Sequence, residues 1–240
     1  MTVRCQARSA CALRAVAWKP QEHTDIPVSA TAVLLSGKYV AFGGDSGLVQ
    51  MVSVPDGKLV ARYVLPPSTR VTCLQWSSDG RYLAAGGYSR EEGKGLVRVW
   101  DGQTRQEVST YWGHPQPVNA LAWSPDNQRI ASASDDATVQ IWRAATGKRV
   151  FTYRGHTRRV NTLSWTATTD GKSLIASGSD DRMVHVWNAE TGQLSFTHAH
   201  EQAVTAVTWD PSGAWIASGS RDGVIDYYWG VENPLFLPGL

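Results

Sequence analysis

The chain has 240 residues, and 23 Lys and Arg against 21 Asp and Glu leave a formal charge of +2, so composition gives no support for a polyelectrolyte partner such as nucleic acid. Cys5, Cys11 and Cys73 are odd in number and spaced unlike any zinc site, which fits reduced thiols and a cytoplasmic setting. No apolar run approaches the ~20 residues that cross a bilayer, so a soluble protein without membrane insertion is expected.

The first 21 residues contain Arg4, Arg8, Arg14 and Lys19 and no acid, as transit peptides do, yet they also align with later strands. Thr2-Val3-Arg4 resembles Thr138–Gln140. Leu13–Trp18, LRAVAW, resembles the RVFTYR of Arg149–Arg154 and is followed by Glu22-His23. Residues 1–12 read as a tail and Leu13–Trp18 as a closing strand.

From Val28 the chain repeats itself. IASASDDATVQIW at Ile130–Trp142 returns as IASGSDDRMVHVW at Ile175–Trp187 and as IASGSRDGVIDYY at Ile216–Tyr228. Weaker copies are VAFGGDSGLVQMV at Val40–Val52 and LAAGG at Leu83–Gly87 with LVRVW at Leu96–Trp100. The copies open at Val28, Val71, Val118, Val160 and Val204, giving steps of 43, 47, 42 and 44 residues. Such a period marks a four-stranded radial unit. The longest step holds an insertion, Tyr88–Gly95. The repeats span about 28–70, 71–117, 118–159, 160–203 and 204–228, all within one domain of 1–240.

The third copy shows the local logic. VNALAW, IASAS, TVQIW and RVFTY are short apolar or alternating runs, and SPDNQ, DDA and AATGK between them are turn chemistry. The fold is therefore expected to be all-β, five four-stranded blades stacked because no sheet buries both its faces alone.

Gly113-His114 and Gly155-His156, with Ala199-His200 as a variant, precede strands ending at Trp142, Trp187 and Tyr228. An aspartate stands six residues before each end, at Asp136, Asp181 and Asp222. In these features the chain resembles the WD-repeat β-propeller family, over about Val28–Tyr228. The dipeptide that names the family survives only at Trp100-Asp101; Trp142-Arg143 and Trp187-Asn188 depart from it. The resemblance implies a non-catalytic scaffold whose faces bind other macromolecules. Seven blades are usual in that family, so five leave two arrangements open. Either the ring closes, with Leu13–Trp18 as outer strand of the last blade, or the blades form an incomplete arc.

His114, Ser132 and Asp136 are the residue types of a catalytic triad, but the trio recurs as His156/Ser177/Asp181 and His200/Ser218/Asp222. Three identical active sites in one ring are less economical than one structural device used three times. The resemblance implies a hydrogen-bonded chain that also takes in the strand aromatics Trp142 and Trp187. The first two copies have lost it: Ser46 and Lys94 stand at the aspartate position, and Pro66-Pro67 replaces Gly-His in the second. His185 and His198 read as surface or packing residues, and no metal, cofactor or small-molecule substrate is expected.

The best functional reading is a protein-interaction scaffold within a larger complex. A nucleic-acid-associated adaptor would need aromatics interleaved with a basic stripe. An enzyme at the channel mouth would need titratable residues clustered at one place only. The family pattern places the Gly-His turns and the aspartate turns on one rim, which gathers Arg70, Arg158, Arg159, Arg182 and Arg221 with the insertion as a partner surface. A second candidate is the tail Pro234–Leu240, whose Leu235, Phe236 and Leu237 are too apolar to stay in water.

Overall fold

The computed structural model describes residues 28–229 except Pro55. The first sheet comprises β1 (Val28–Val33), β2 (Tyr39–Gly44), β3 (Leu48–Ser53) and β4 (Leu59–Val64). The second comprises β5 (Thr69–Trp76), β6 (Tyr82–Ser89), β7 (Lys94–Asp101) and β8 (Glu107–His114). In the third are β9 (Val118–Trp123), β10 (Arg129–Ser134), β11 (Val139–Arg143) and β12 (Arg149–Tyr153). The fourth holds β13 (Val160–Ala167), β14 (Ser173–Ser179), β15 (Met183–Asn188) and β16 (Leu194–Ala199), and the fifth β17 (Val204–Trp209), β18 (Trp215–Ser220) and β19 (Ile225–Trp229). Each sheet is an antiparallel meander in chain order, and the described residues contain no helix. The insertion lengthens the β6–β7 hairpin, pairing Tyr88 with Gly95 and Ser89 with Lys94.

Two devices bind blade to blade. The first is apolar: four clusters of buried residues fill the four spaces between successive sheets. Val49 and Tyr63 meet Val71 and Leu83; Val97 meets Ile130 and Trp142; Val139 meets Ile175 and Trp187; Val186 meets Trp209 and Ile216.

The second device is a polar side chain that follows each opening valine. A β-bulge interrupts the innermost strand there in every blade. Ser29 Oγ donates to Val71 O (2.5 Å), Thr72 to Val118 O, Asn119 Nδ2 to Val160 O (2.9 Å) and Asn161 Nδ2 to Val204 O (2.9 Å). Each blade thus holds the opening carbonyl of the next. Thr205, the fifth member of the series, donates instead to Gly219 O within its own blade (3.3 Å).

Among the described residues the five sheets therefore make an open arc, with a core in four seams. Among the described residues no apolar cluster joins the fifth sheet to the first, and Val28, Val33, Ile225, Tyr227 and Trp229 are exposed at the ends. Among the described residues the last sheet has three strands. The expected closing strand Leu13–Trp18, the N-terminal tail and Pro234–Leu240, with Leu235, Phe236 and Leu237, lie outside the described residues. No helix among the described residues is long and apolar enough to cross a membrane.

Candidate functional site

Antiparallel meanders put the start of every innermost strand beside the turn between the second and third strands. One backbone bond repeats there: Arg90 N donates to Ser68 O, Asp135 N to Pro117 O, Asp180 N to Arg159 O and Arg221 N to Ala203 O, at 2.9–3.2 Å. This is the rim that carries the histidine networks and the arginines.

In the third and fourth blades histidine, aspartate and serine are bonded as a set. His114 Nδ1 donates to Asp136 (2.7 Å) and its Nε2 lies 2.8 Å from Ser132 Oγ; the corresponding distances for His156, Asp181 and Ser177 are both 2.9 Å. Thr157 N and Met183 N donate to Asp181 at 3.0 Å. Burial opposes ionisation of Asp181, yet the His156 and backbone hydrogen bonds hold its carboxyl well below the usual range. These distances satisfy a triad, but Ser132 and Ser177 are 0% exposed, so no substrate carbonyl reaches either oxygen.

The tryptophans divide. Trp187 Nε1 donates to Ser177 Oγ (3.2 Å), whereas Trp142 Nε1 is buried with no partner among the described residues. The expected place of Trp142 in the chain of bonds is therefore corrected. Its ring stacks on Tyr111 at 5.0 Å and Ser132 turns its hydroxyl to Gln140 O (3.3 Å).

The fifth blade is corrected more deeply. His200 Nε2 keeps Ser218 at 2.7 Å, and Tyr228 Oη donates to the same oxygen at 3.0 Å. Asp222, expected on His200, instead accepts from Ser220 Oγ and Val224 N within its own turn. The carboxylate facing His200 belongs to Asp226, 3.6 Å from Nδ1 and 2.9 Å from His198 Nε2.

Sequence reasoning missed a second repeated position, two residues before the strand-end aromatic: Gln140, His185 and Asp226. Each meets the rim histidine and a side chain from the preceding outer strand. Tyr111 donates to Gln140, whose Nε2 lies 3.1 Å from His114; Tyr153 donates to His185 Nδ1 (3.0 Å), whose ring stacks on His156 at 4.1 Å. The register places His198 where Tyr153 stands one blade earlier, since Val139 pairs with Tyr153 and Val184 with His198. Burial, then the neighbouring His156, lowers the His185 pKa to about 4.

The same crossing explains Gly-His. A Cβ on Gly113 would lie 1.9 Å from Tyr111 Oη, and one on Gly155 2.2 Å from Tyr153 Oη. Where His198 replaces the tyrosine, Ala199 is tolerated. The available signal was two histidines one residue apart, His198-Ala199-His200, running from the end of β16 into the connection that follows.

All five predicted arginines are exposed on this rim. Arg70 pairs with Asp45 (3.2 Å) and Arg159 with Asp180, which also accepts from Asn161 (2.8 Å). Arg158, Arg182 and Arg221 make no ion pair among the described residues. Arg182 has φ +70°, at a turn position held by Gly47 and Gly223 in the first and fifth blades and by Ala137 in the third. In the first blade Ser46 occupies the aspartate site and accepts from Leu48 N at 3.3 Å, capping the turn without a histidine.

A family model described as the WDR19 first beta-propeller matches residues 34–214. The chain belongs to the WD-repeat β-propeller family. It is 34% identical over 116 residues to WD repeat-containing protein 1 of Xenopus tropicalis, covering 48% of this chain and 18% of that protein. It is 35% identical over 114 residues to the protein of the same name from Bos taurus, covering 45% and 17%. It is 34% identical over 81 residues to Protein HIRA of Zea mays, covering 29% and 8%. The chain thus spans less than a fifth of the length of these relatives. The fold is of the kind that serves as a protein-interaction scaffold.

Proposed function

We propose that this chain is a non-catalytic scaffold that holds protein partners in a larger cytoplasmic complex, and that its docking face is the arginine rim. The observation that carries the reading is Arg182. A turn position that favours glycine is occupied by a long cation, at a cost of roughly 1–2 kcal/mol in the left-handed region; Arg182, Arg158 and Arg221 are exposed on this rim and make no ion pair among the described residues. Strain of this kind persists where the side chain serves something other than the fold. The partner this rim suits presents acidic groups with planar, bidentate geometry, which guanidinium recognises better than ammonium does.

Burial of Ser132 and Ser177, and the repetition of their networks, support the non-catalytic reading. The test is affinity capture with the parent and with Arg158→Glu/Arg159→Glu, each checked for an unchanged melting profile. Loss of a defined set of captured proteins in the double variant supports the rim. Equal capture by both removes it.

A further inference from the structure

Three equivalent positions come together in each of three successive blades. They read Tyr111, Gln140 and His114, then Tyr153, His185 and His156, then His198, Asp226 and His200. In the first two sets the outer member is a phenol that hydrogen-bonds the middle member. In the third all three are metal-ligating types, with their donor atoms within 4.8 Å of one another. Among the described residues this is the one such group, so it is not part of the repeated device.

We propose that His198 Nε2, His200 Nδ1 and an Asp226 carboxylate oxygen form a zinc(II) site that clips the fourth blade to the fifth.

The geometry needs little adjustment. Zinc bonded at about 2.0–2.2 Å to tetrahedral N and O ligands sets its donors about 3.3 Å apart. Asp226 Oδ2 already stands 2.9 Å from His198 Nε2 and 3.6 Å from His200 Nδ1. The second distance is too long for a hydrogen bond, whereas Nδ1 of His114 and of His156 sits at 2.7 and 2.9 Å from its own aspartate. Here the turn aspartate Asp222 is bonded elsewhere, and the carboxylate that faces His200 comes from another position of the blade, across a gap that a cation spans.

Orientation is supplied as well. With Nδ1 on the metal, His200 donates from Nε2 to Ser218 Oγ, already at 2.7 Å, which fixes the tautomer and ring plane of a ligating imidazole. The His198 ring lies on Tyr228 at 4.4 Å. His198 and Asp226 remain 30% and 28% exposed, leaving room for a water as fourth ligand. Two imidazoles and one carboxylate suit zinc, which imposes no d-electron geometry, better than they suit hard cations that prefer all-oxygen ligands.

The placement gives the metal a task. His198 lies on β16, His200 in the connection that follows, and Asp226 on β19, the last described strand of the arc. Among the described residues Thr205 holds no carbonyl of another blade, and the fifth sheet is the one with three strands. A bond across this seam adds a support to the blade that has the fewest among the described residues.

The experiment uses the full chain stripped with a chelator. Zinc(II) is titrated by calorimetry and thermal melting, and cobalt(II) by its visible absorption. Expected are one saturable equivalent, a rise in melting temperature with zinc, and a cobalt spectrum of nitrogen and oxygen ligands. H198Q and D226N should each lower affinity at least about tenfold, judged against the effect of losing even an outer-sphere partner. Circular dichroism of both metal-free variants checks folding, and His198 on the outer strand is the milder change. Absence of saturable binding, equal binding by both variants, or a thiolate-to-cobalt charge-transfer band reporting Cys5 or Cys11 would each overturn the proposal.

Discussion

Removing the Asp181 carboxylate separates the two blades that share a sequence signature but not a structure. Asp181→Ala strands His156 Nδ1, whose side chain is fully buried, together with the N–H groups of Thr157 and Met183. Thr157 is exposed and Met183 half-buried, so water replaces much of what their backbones lose, and the buried imidazole dominates. An unsatisfied buried polar group costs about 1–3 kcal/mol, which with a small backbone contribution gives about 2–3 kcal/mol. In a domain of this size each kcal/mol lowers the midpoint by about 2–4 °C, so the variant should melt about 4–12 °C below the parent. The sign of the pH effect follows from the direction of the shift. The Asp181 carboxyl is held below its unfolded value, so its contribution is fully present above about pH 5 and is lost as pH falls below about 4. Melting parent and variant by circular dichroism at neutral pH and at successively lower pH measures both. A variant that melts with the parent at neutral pH, or a gap that widens on acidification, would refute the argument. Asp222→Ala is the control: its carboxylate bonds only its own exposed turn, so the midpoint should scarcely move.

Three further outcomes are expected. Arg182→Gly relieves a left-handed backbone and should raise stability by about 1 kcal/mol while weakening partner capture, whereas Ala137→Gly should raise it similarly and leave capture unchanged; a fall in stability for both would refute the strain. The His185 imidazole should titrate near 4 in an NMR pH series, because burial and His156 oppose its charge. The unfolded chain takes up this proton below about pH 6.5 and the folded protein does not until about 4, so His185 contributes a loss of stability as pH falls across that window; titration near the ordinary histidine value would refute this.

Much of the fold was legible because its determinants are local. The valine openings, strand alternation and glycine, proline and aspartate turns each act over a few residues, and their period counted the blades. The polar residue after each opening valine was also in plain view, at Ser29, Thr72, Asn119, Asn161 and Thr205. Its role was not, because its acceptor lies a whole repeat away. The paired networks of His114 and His156 were legible for the same reason as the blades: identical spacing sets identical geometry.

Choices between near-equivalent partners were settled by three-dimensional packing. Asp222 and Asp226 both lie close enough in sequence to reach His200, and the spacing rule chose the first. His198-Ala199-His200 is one residue shorter than Tyr153-Arg154-Gly155-His156, and that difference leaves the imidazole facing β19 instead of the turn. The same holds for Trp142 and Trp187, alike in sequence yet only one bonded, since hydrogen bonds fail over a fraction of an ångström that no repeat pattern encodes. Local periodicity sets the blades and their order; ring or arc depends on contacts between the first and last of them, which local periodicity does not specify.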